Sequence, residues 1–405
     1  MTRQGRPWAS LRMVAASACV ALVAAQPSSG IGDRQGGPVP TWIVAGEGRG
    51  TPAADTATAF FLSKRHQIVA VDMASGRERW RVSTLGTGPE TMGTRVVRAG
   101  EMVVAGDYEV VGVERRTGLL RWRFAPRVGP GAGMHLGQAS GDEVFTGSVG
   151  GYLHAIDART GRARWSARIA TDHETTVFGP VVAGELVVAG FTEFSRPARG
   201  GVVAIERSTG RERWRHRFPA WVKREASTGA AGEPVVAERV VAASSQDGTI
   251  FGLDRASGTV RWVIPAGLRP DGRGPVVQDY RPVVLIGRTL IAGSLTGMVV
   301  AYDLETRRER WRQTPVAASV ALGLAADESV VYVPYVSGHI VAMAAETGAE
   351  RWRAGGTAMG LSWTPLVVPA GLLASGSRAG FLAFSRDGSG QGPDRGERAP
   401  ARSHP

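Results

Sequence analysis

The 405-residue chain has no asparagine, two lysines (Lys64 and Lys223) and one cysteine, Cys19. A lone cysteine cannot close an internal disulfide, and it excludes both zinc-binding cysteine spacings and the Cys-x-x-Cys-His of an attached haem. Missing too is a sustained 3.6-residue apolar period, which argues against helices. The N-terminal apolar stretch Met13–Ala25 is about 13 residues, short of the roughly 20 that a membrane span needs. With so little lysine, the net charge of +12 rests on arginine. Arginine is spread through the chain rather than clustered with aromatics, so nucleic-acid binding is not expected; a bias towards GC-rich codons accounts for the composition equally well.

What is abundant is periodic. Trp42, Trp80, Trp122, Trp165, Trp214, Trp262, Trp311 and Trp352 recur at intervals of 38 to 49 residues. A period of that length marks one supersecondary unit copied many times. The flanking text repeats as well: Ile68–Trp80 reads IVAVDMASGRERW and Leu153–Trp165 reads LHAIDARTGRARW. Within a unit, short apolar runs such as Val144–Gly147 and Leu153–Ile156 are separated by Gly, Asp and Ser, the signature of an antiparallel meander. The Asp-x-x-Thr-Gly stretch is a turn in which the carboxylate accepts backbone N–H bonds and Gly supplies a positive φ. The acid of this turn is Asp72, Glu114, Asp157, Glu206, Asp254 or Asp303, and Ala344 breaks the series; Arg307 breaks the glycine series. Residues repeated this often are read as scaffold, including the Arg before each Trp, which alternation places on a solvated face. Each Trp buries about 150–250 Å², worth roughly 4–6 kcal/mol before entropy is subtracted. Covering it requires a neighbouring sheet, and radial stacking provides one.

An eighth unit, with runs at Thr364–Val368, Gly371–Ser375 and Phe381–Phe384, ends without its Trp, whereas Trp42 stands alone ahead of the first full unit. The expected fold is therefore an all-β, eight-bladed β-propeller of four-stranded antiparallel blades over residues 40–385, its last blade completed by the N-terminal strand. The pattern Ala-x-Asp-x-x-Thr-Gly-x-x-x-Trp, nearly intact at Ala155–Trp165, resembles the repeat of the pyrroloquinoline-quinone (PQQ)-like propellers. That resemblance spans most of the chain and implies one of two functions. The first is a non-enzymatic scaffold like the outer-membrane assembly factor BamB; the second is a quinoprotein dehydrogenase holding PQQ and Ca²⁺. In the alcohol-dehydrogenase branch the resemblance also implies an Asn ligand and an adjacent cysteine pair, which this sequence cannot supply. WD-type propellers fit less well, because no Trp-Asp pair closes a unit.

Arg3, Arg6 and Arg12 ahead of Met13–Ala25, with the small residues Val23-Ala-Ala25, read as a cleavable export signal. Residues 26–39 are a polar lead-in, and 386–405 a Gly-, Pro- and Arg-rich tail. Too few apolar residues precede Cys19 for lipidation to be expected. The expected location is periplasmic or extracellular, and the expected state monomeric.

Length variation points to the candidate site. Trp214 to Pro234 and Trp262 to Pro282 each span 20 residues, against 13 from Trp352 to Pro365, and all these loops share one face. Long loops on a rigid scaffold are where binding usually resides. The candidate rim is His173, Glu174, Trp221, Lys223, Arg224, Asp279 and Arg281, expected to engage a partner protein. Asp172-His173-Glu174 is too compact a run to surround one metal ion, so no metal site is expected. Glu90, Glu233 and Asp279 lie near inner-strand starts, where a catalytic carboxylate would stand in the dehydrogenase reading. No catalytic residue and no cofactor is assigned.

Overall fold

The computed structural model describes residues 38–84, 95–106, 109–125, 133–170, 175–195, 197–219, 227–265, 280–321, 323–356, 359–361 and 363–388. The expected export signal and nearly all of the tail lie outside them. The described residues are all-β and belong to one compact unit. Eight antiparallel meanders follow one another: residues 48–83, 95–124, 134–168, 176–217, 235–264, 280–313, 325–355, and 366–384 joined by 42–44. The first two are linked through one parallel bridge between their innermost strands, Thr51 to Arg95.

Burial explains why each run becomes a strand at its own depth. Middle strands such as Thr58–Ser63 are buried at every position, because sheets cover both of their faces. Outermost strands such as Glu78–Ser83 alternate, with Trp80 and Val82 turned inward and Glu78 and Arg81 in water. The isolated N-terminal segment behaves as the alternation expected. Trp42–Val44 pairs antiparallel with Gly380–Phe384, setting Trp42 opposite Ala383. The innermost strands touch in sequence from 48–54 through 366–368, and that last strand contacts 48–54 again.

The tryptophans join each meander to the next. The Trp122 indole N–H donates to the carbonyl of Ala158, 2.7 Å away in the following turn. Trp42, Trp80, Trp165, Trp214, Trp311 and Trp352 make the same bond to Met73, Arg115, Arg207, Arg255, Ala345 and Arg386. Trp262 packs with Leu304 in the equivalent layer. The glycine of the turn therefore has two reasons to be glycine. Gly161 has φ 72°, and a Cβ there would lie 2.5 Å from the Trp122 ring. Sequence periodicity reveals only the first reason. Where Arg307 replaces the glycine, φ is still 58°.

The Arg before each Trp stands on the solvated face, as alternation expects, and pairs with a nearby carboxylate through a register slip of one residue there. Ala155 pairs with Trp165 and Ile156 with Ala163, so Arg164 is the extra residue of a β-bulge. The bulge aims its guanidinium back at the turn, 2.8 Å from Asp157. Arg79–Asp72, Arg121–Glu114 and Arg310–Asp303 repeat the pair. The Arg164 bond, aided by Thr160, holds the Asp157 carboxyl down at about 2. Such exposed pairs add little to stability and mainly orient the turn.

Candidate functional site

The inner strands enclose a cavity of about 330 Å³, lined from successive meanders by residues that include Thr51, Arg95, His135, Phe178, Glu233 and Trp363. Its wall is aperiodic, unlike the outer belt. An ion pair joins opposite parts of the wall: Arg95 Nη2 lies 2.6 Å from both carboxylate oxygens of Glu233, a residue 138 positions later. Both side chains are partly shielded, at 20% and 33% exposure, which strengthens the pair relative to a surface one. Gly179 leaves space for the carboxylate, since a Cβ there would collide with Glu233 Oε1. Phe178 packs against His135 at a ring distance of 5.8 Å. The Gln138 side-chain oxygen accepts the Val182 N–H at 3.0 Å.

Glu233 had been singled out by its place at an inner-strand start; Arg95 had not. A charge at Arg95 is ordinary in sequence, and only ring geometry brings it to a residue three repeats away. Most of the candidate rim (His173, Glu174, Trp221, Lys223, Arg224 and Asp279) lies outside the described residues, as does Glu90. Arg281 stands in the strand Tyr280–Ile286. On the same face, Glu193 is held by Arg217 through bonds of 2.7 and 2.9 Å. Among the described residues, no group of three or more His, Cys, Asp or Glu side chains converges as metal ligands would.

Closely similar antiparallel sheets, indole contacts between successive sheets and an enclosed central cavity define a β-propeller of PQQ-like repeats. The family model described as outer membrane protein assembly factor BamB matches residues 25–193, 176–318 and 295–390, and the chain belongs to that family. Its relatives divide between two kinds of protein. Quinohemoprotein alcohol dehydrogenase ADH-IIG of Pseudomonas putida is 34% identical over 140 residues, 30% of this chain and 19% of its own length. Outer membrane protein assembly factor BamB of Xanthomonas campestris pv. campestris is 30% identical over 143 residues, 35% of this chain and 33% of its own. The chain thus spans a third or less of the length of these relatives. The crystal structure of BamB from Moraxella catarrhalis superposes with a TM-score of 0.56 at 17% identity, covering 71% of this chain and 82% of that one. That likeness shows the fold alone.

Proposed function

We propose that the chain is an exported, eight-bladed propeller that acts as a non-catalytic scaffold, binding a partner protein of the cell envelope through its irregular loop rim. The observation that carries this reading is the Arg95–Glu233 pair. Glu233 is the one carboxylate among the described residues lining the cavity, and both its oxygens are committed to a guanidinium. A quinone held with Ca²⁺ needs several free oxygen donors converging on the ion, usually six to eight. Besides the paired Glu233, the described side-chain oxygens of the wall are the hydroxyls of Thr51, Ser244 and Thr364 and an amide already bonded to backbone, so it does not fit that group. The closed circuit of inner strands and the eight Trp contacts support the count of eight blades. The N-terminal arginine-led apolar stretch supports export, and the BamB name of the matching family suggests an envelope assembly component as partner.

The match to a quinohemoprotein alcohol dehydrogenase favours a second reading, a quinoprotein-like domain binding PQQ and calcium. Titrating the purified chain with PQQ and Ca²⁺, while following quinone absorbance and dye reduction, separates the two. The scaffold reading expects no saturable binding and no turnover; saturation accompanied by dye reduction overturns it. The rim is tested by reversing charge with Lys223→Glu and Arg224→Glu and cross-linking in the intact envelope. Loss of a specific cross-linked partner is expected, and an unchanged cross-link pattern removes these residues from the interface.

A further inference from the structure

The face opposite the loop rim, formed by the Asp-x-x-Thr-Gly turns, would be uniform if the repeat were strict. Apart from the turn substitutions at Arg307 and Ala344, it departs from uniformity at Arg98. Arg98 pairs with Val103, the second residue of the neighbouring strand Met102–Gly106. The matching position in every other meander is alanine, valine or leucine, as at Val182, Leu285 and Val367. Arg98 is exposed and forms no ion pair among the described residues. Beside it, in the adjacent turn, Arg116 is also exposed and forms none. The nearby Glu114 is already held by Arg121 at 2.6 Å.

These two arginines border a cavity of about 770 Å³ between the last meander and the first two. The other two arginines of its lining are committed. Arg79 binds Asp72 and Thr58, and Arg115 bridges Asp55 at 2.6 Å and Glu101 at 3.0 Å. The rest of the wall is mixed: Asp55, Thr56 and Thr58 are polar, the Asp55 carboxylate being taken by Arg115, and Met73, Leu366, Val367, Pro369 and the Trp80 ring form an apolar side. Trp80, like Trp165, is only half-buried, whereas Trp42, Trp122, Trp214, Trp262, Trp311 and Trp352 are 6–8% exposed. The volume lies within the roughly 300–1,000 Å³ typical of small-ligand sites.

We propose that this cavity binds a phosphate monoester carrying an apolar body, with Arg98 and Arg116 holding the oxyanion and the Trp80–Leu366 wall covering the body. Guanidinium groups suit phosphate because their planar N–H pairs match its oxygens; Arg98 and Arg116 make no ion pair at contact distance among the described residues, Arg116 feeling only the longer-range attraction of Glu114. The site lies on the face opposite the rim and does not depend on which proposed function holds.

The test is calorimetric titration of the full chain with phenyl phosphate, inorganic phosphate and phenol. Saturable phenyl phosphate binding is expected, with the other two weaker. Arg98→Val, which installs the residue type of the sister meanders, and Arg116→Ala should each weaken it about tenfold or more, the loss of one charge-assisted bond. Thermal unfolding of both variants should match the parent, so lost binding cannot be ascribed to misfolding. Absence of saturation at millimolar phenyl phosphate overturns the site, as does affinity unchanged in both variants. Phenol binding as tightly as phenyl phosphate overturns recognition of the charge, and equal affinity for inorganic phosphate overturns the apolar wall. Flotation with phosphatidic-acid vesicles distinguishes the source: capture released by Arg98→Val assigns the phosphate to a lipid headgroup, and no capture to a soluble ester.

Discussion

The outer belt and the central wall of this propeller are built on opposite plans. Around the belt, the contact of indole, turn carbonyl and turn residue is repeated from meander to meander with changed side chains only at Arg307 and Ala344. Along the inner wall the residues change in kind from meander to meander, as Thr51, Arg95, His135 and Glu233 do. The belt holds the sheets together and tolerates little change. The wall faces a cavity, is not needed to bury the sheets, and is free to differ. In a repeat protein, function is therefore sought where the repeat fails.

The belt can be broken directly. Trp122→Ala removes a buried ring and orphans the Ala158 carbonyl, at an expected cost of about 3–5 kcal/mol. Denaturant unfolding followed by far-ultraviolet dichroism measures it. A loss under about 1 kcal/mol would mean that the indole contacts do not join the meanders.

The next largest effect is a pH dependence at the interface between the second and third meanders. His154 is 3% exposed, packs against Phe124 at 5.3 Å, and has Nδ1 2.8 Å from the Ser166 hydroxyl; its Nε2 has no partner. Burial lowers its pKa from 6.5 to about 4. The unfolded chain then takes up a proton that the folded chain refuses, so the stability is full above pH 6.5 and is lost as pH falls from 6.5 towards 4. The span corresponds to an order of magnitude of 3 kcal/mol. His154→Gln should flatten stability across that window. An unaltered pH profile would show that His154 is protonated within the fold.

Smaller again are the two glycine-turn tests. Gly161→Ala places a methyl against Trp122 at a left-handed φ and should cost about 2 kcal/mol or more. Arg307→Gly relieves a side chain of the same left-handed φ and should stabilise by about 1 kcal/mol. Opposite signs in thermal unfolding are the expected outcome; a shared sign would mean that φ does not govern these turns.

Periodicity in the sequence was enough to read the belt. The tryptophan spacing, the turn acids and the orphan strand at Trp42 all point to sheets that need partners, and the pairing of Trp42 with Ala383 follows. The bulge at Arg164 could not be read, because an inserted residue leaves the text of a strand unchanged and only the register reveals it. The contact between Gly161 and Trp122 joins two different units, so no single repeat contains it. Arg95 and Glu233 are 138 residues apart, and each looks like an ordinary strand residue until the ring brings them face to face. Arg98 is legible only after the register aligns it with Val182 and Leu285.

The smallest effect is the most informative for the wall. Removing one partner, as in Arg95→Met, leaves a half-shielded carboxylate without its cation and should cost on the order of 1–3 kcal/mol. Replacing both, as in Arg95→Met with Glu233→Leu, removes the desolvation cost along with the attraction and should return stability to within about 1 kcal/mol of the parent. Denaturant unfolding of the two single variants and the double closes the cycle. A double variant as unstable as Trp122→Ala would make the ion pair a structural tie across the ring and dissolve the contrast between belt and wall. A double variant near the parent leaves a fold that stands without its central charges, so that the pair's position facing the cavity, rather than its energy, is the reason for the charged couple.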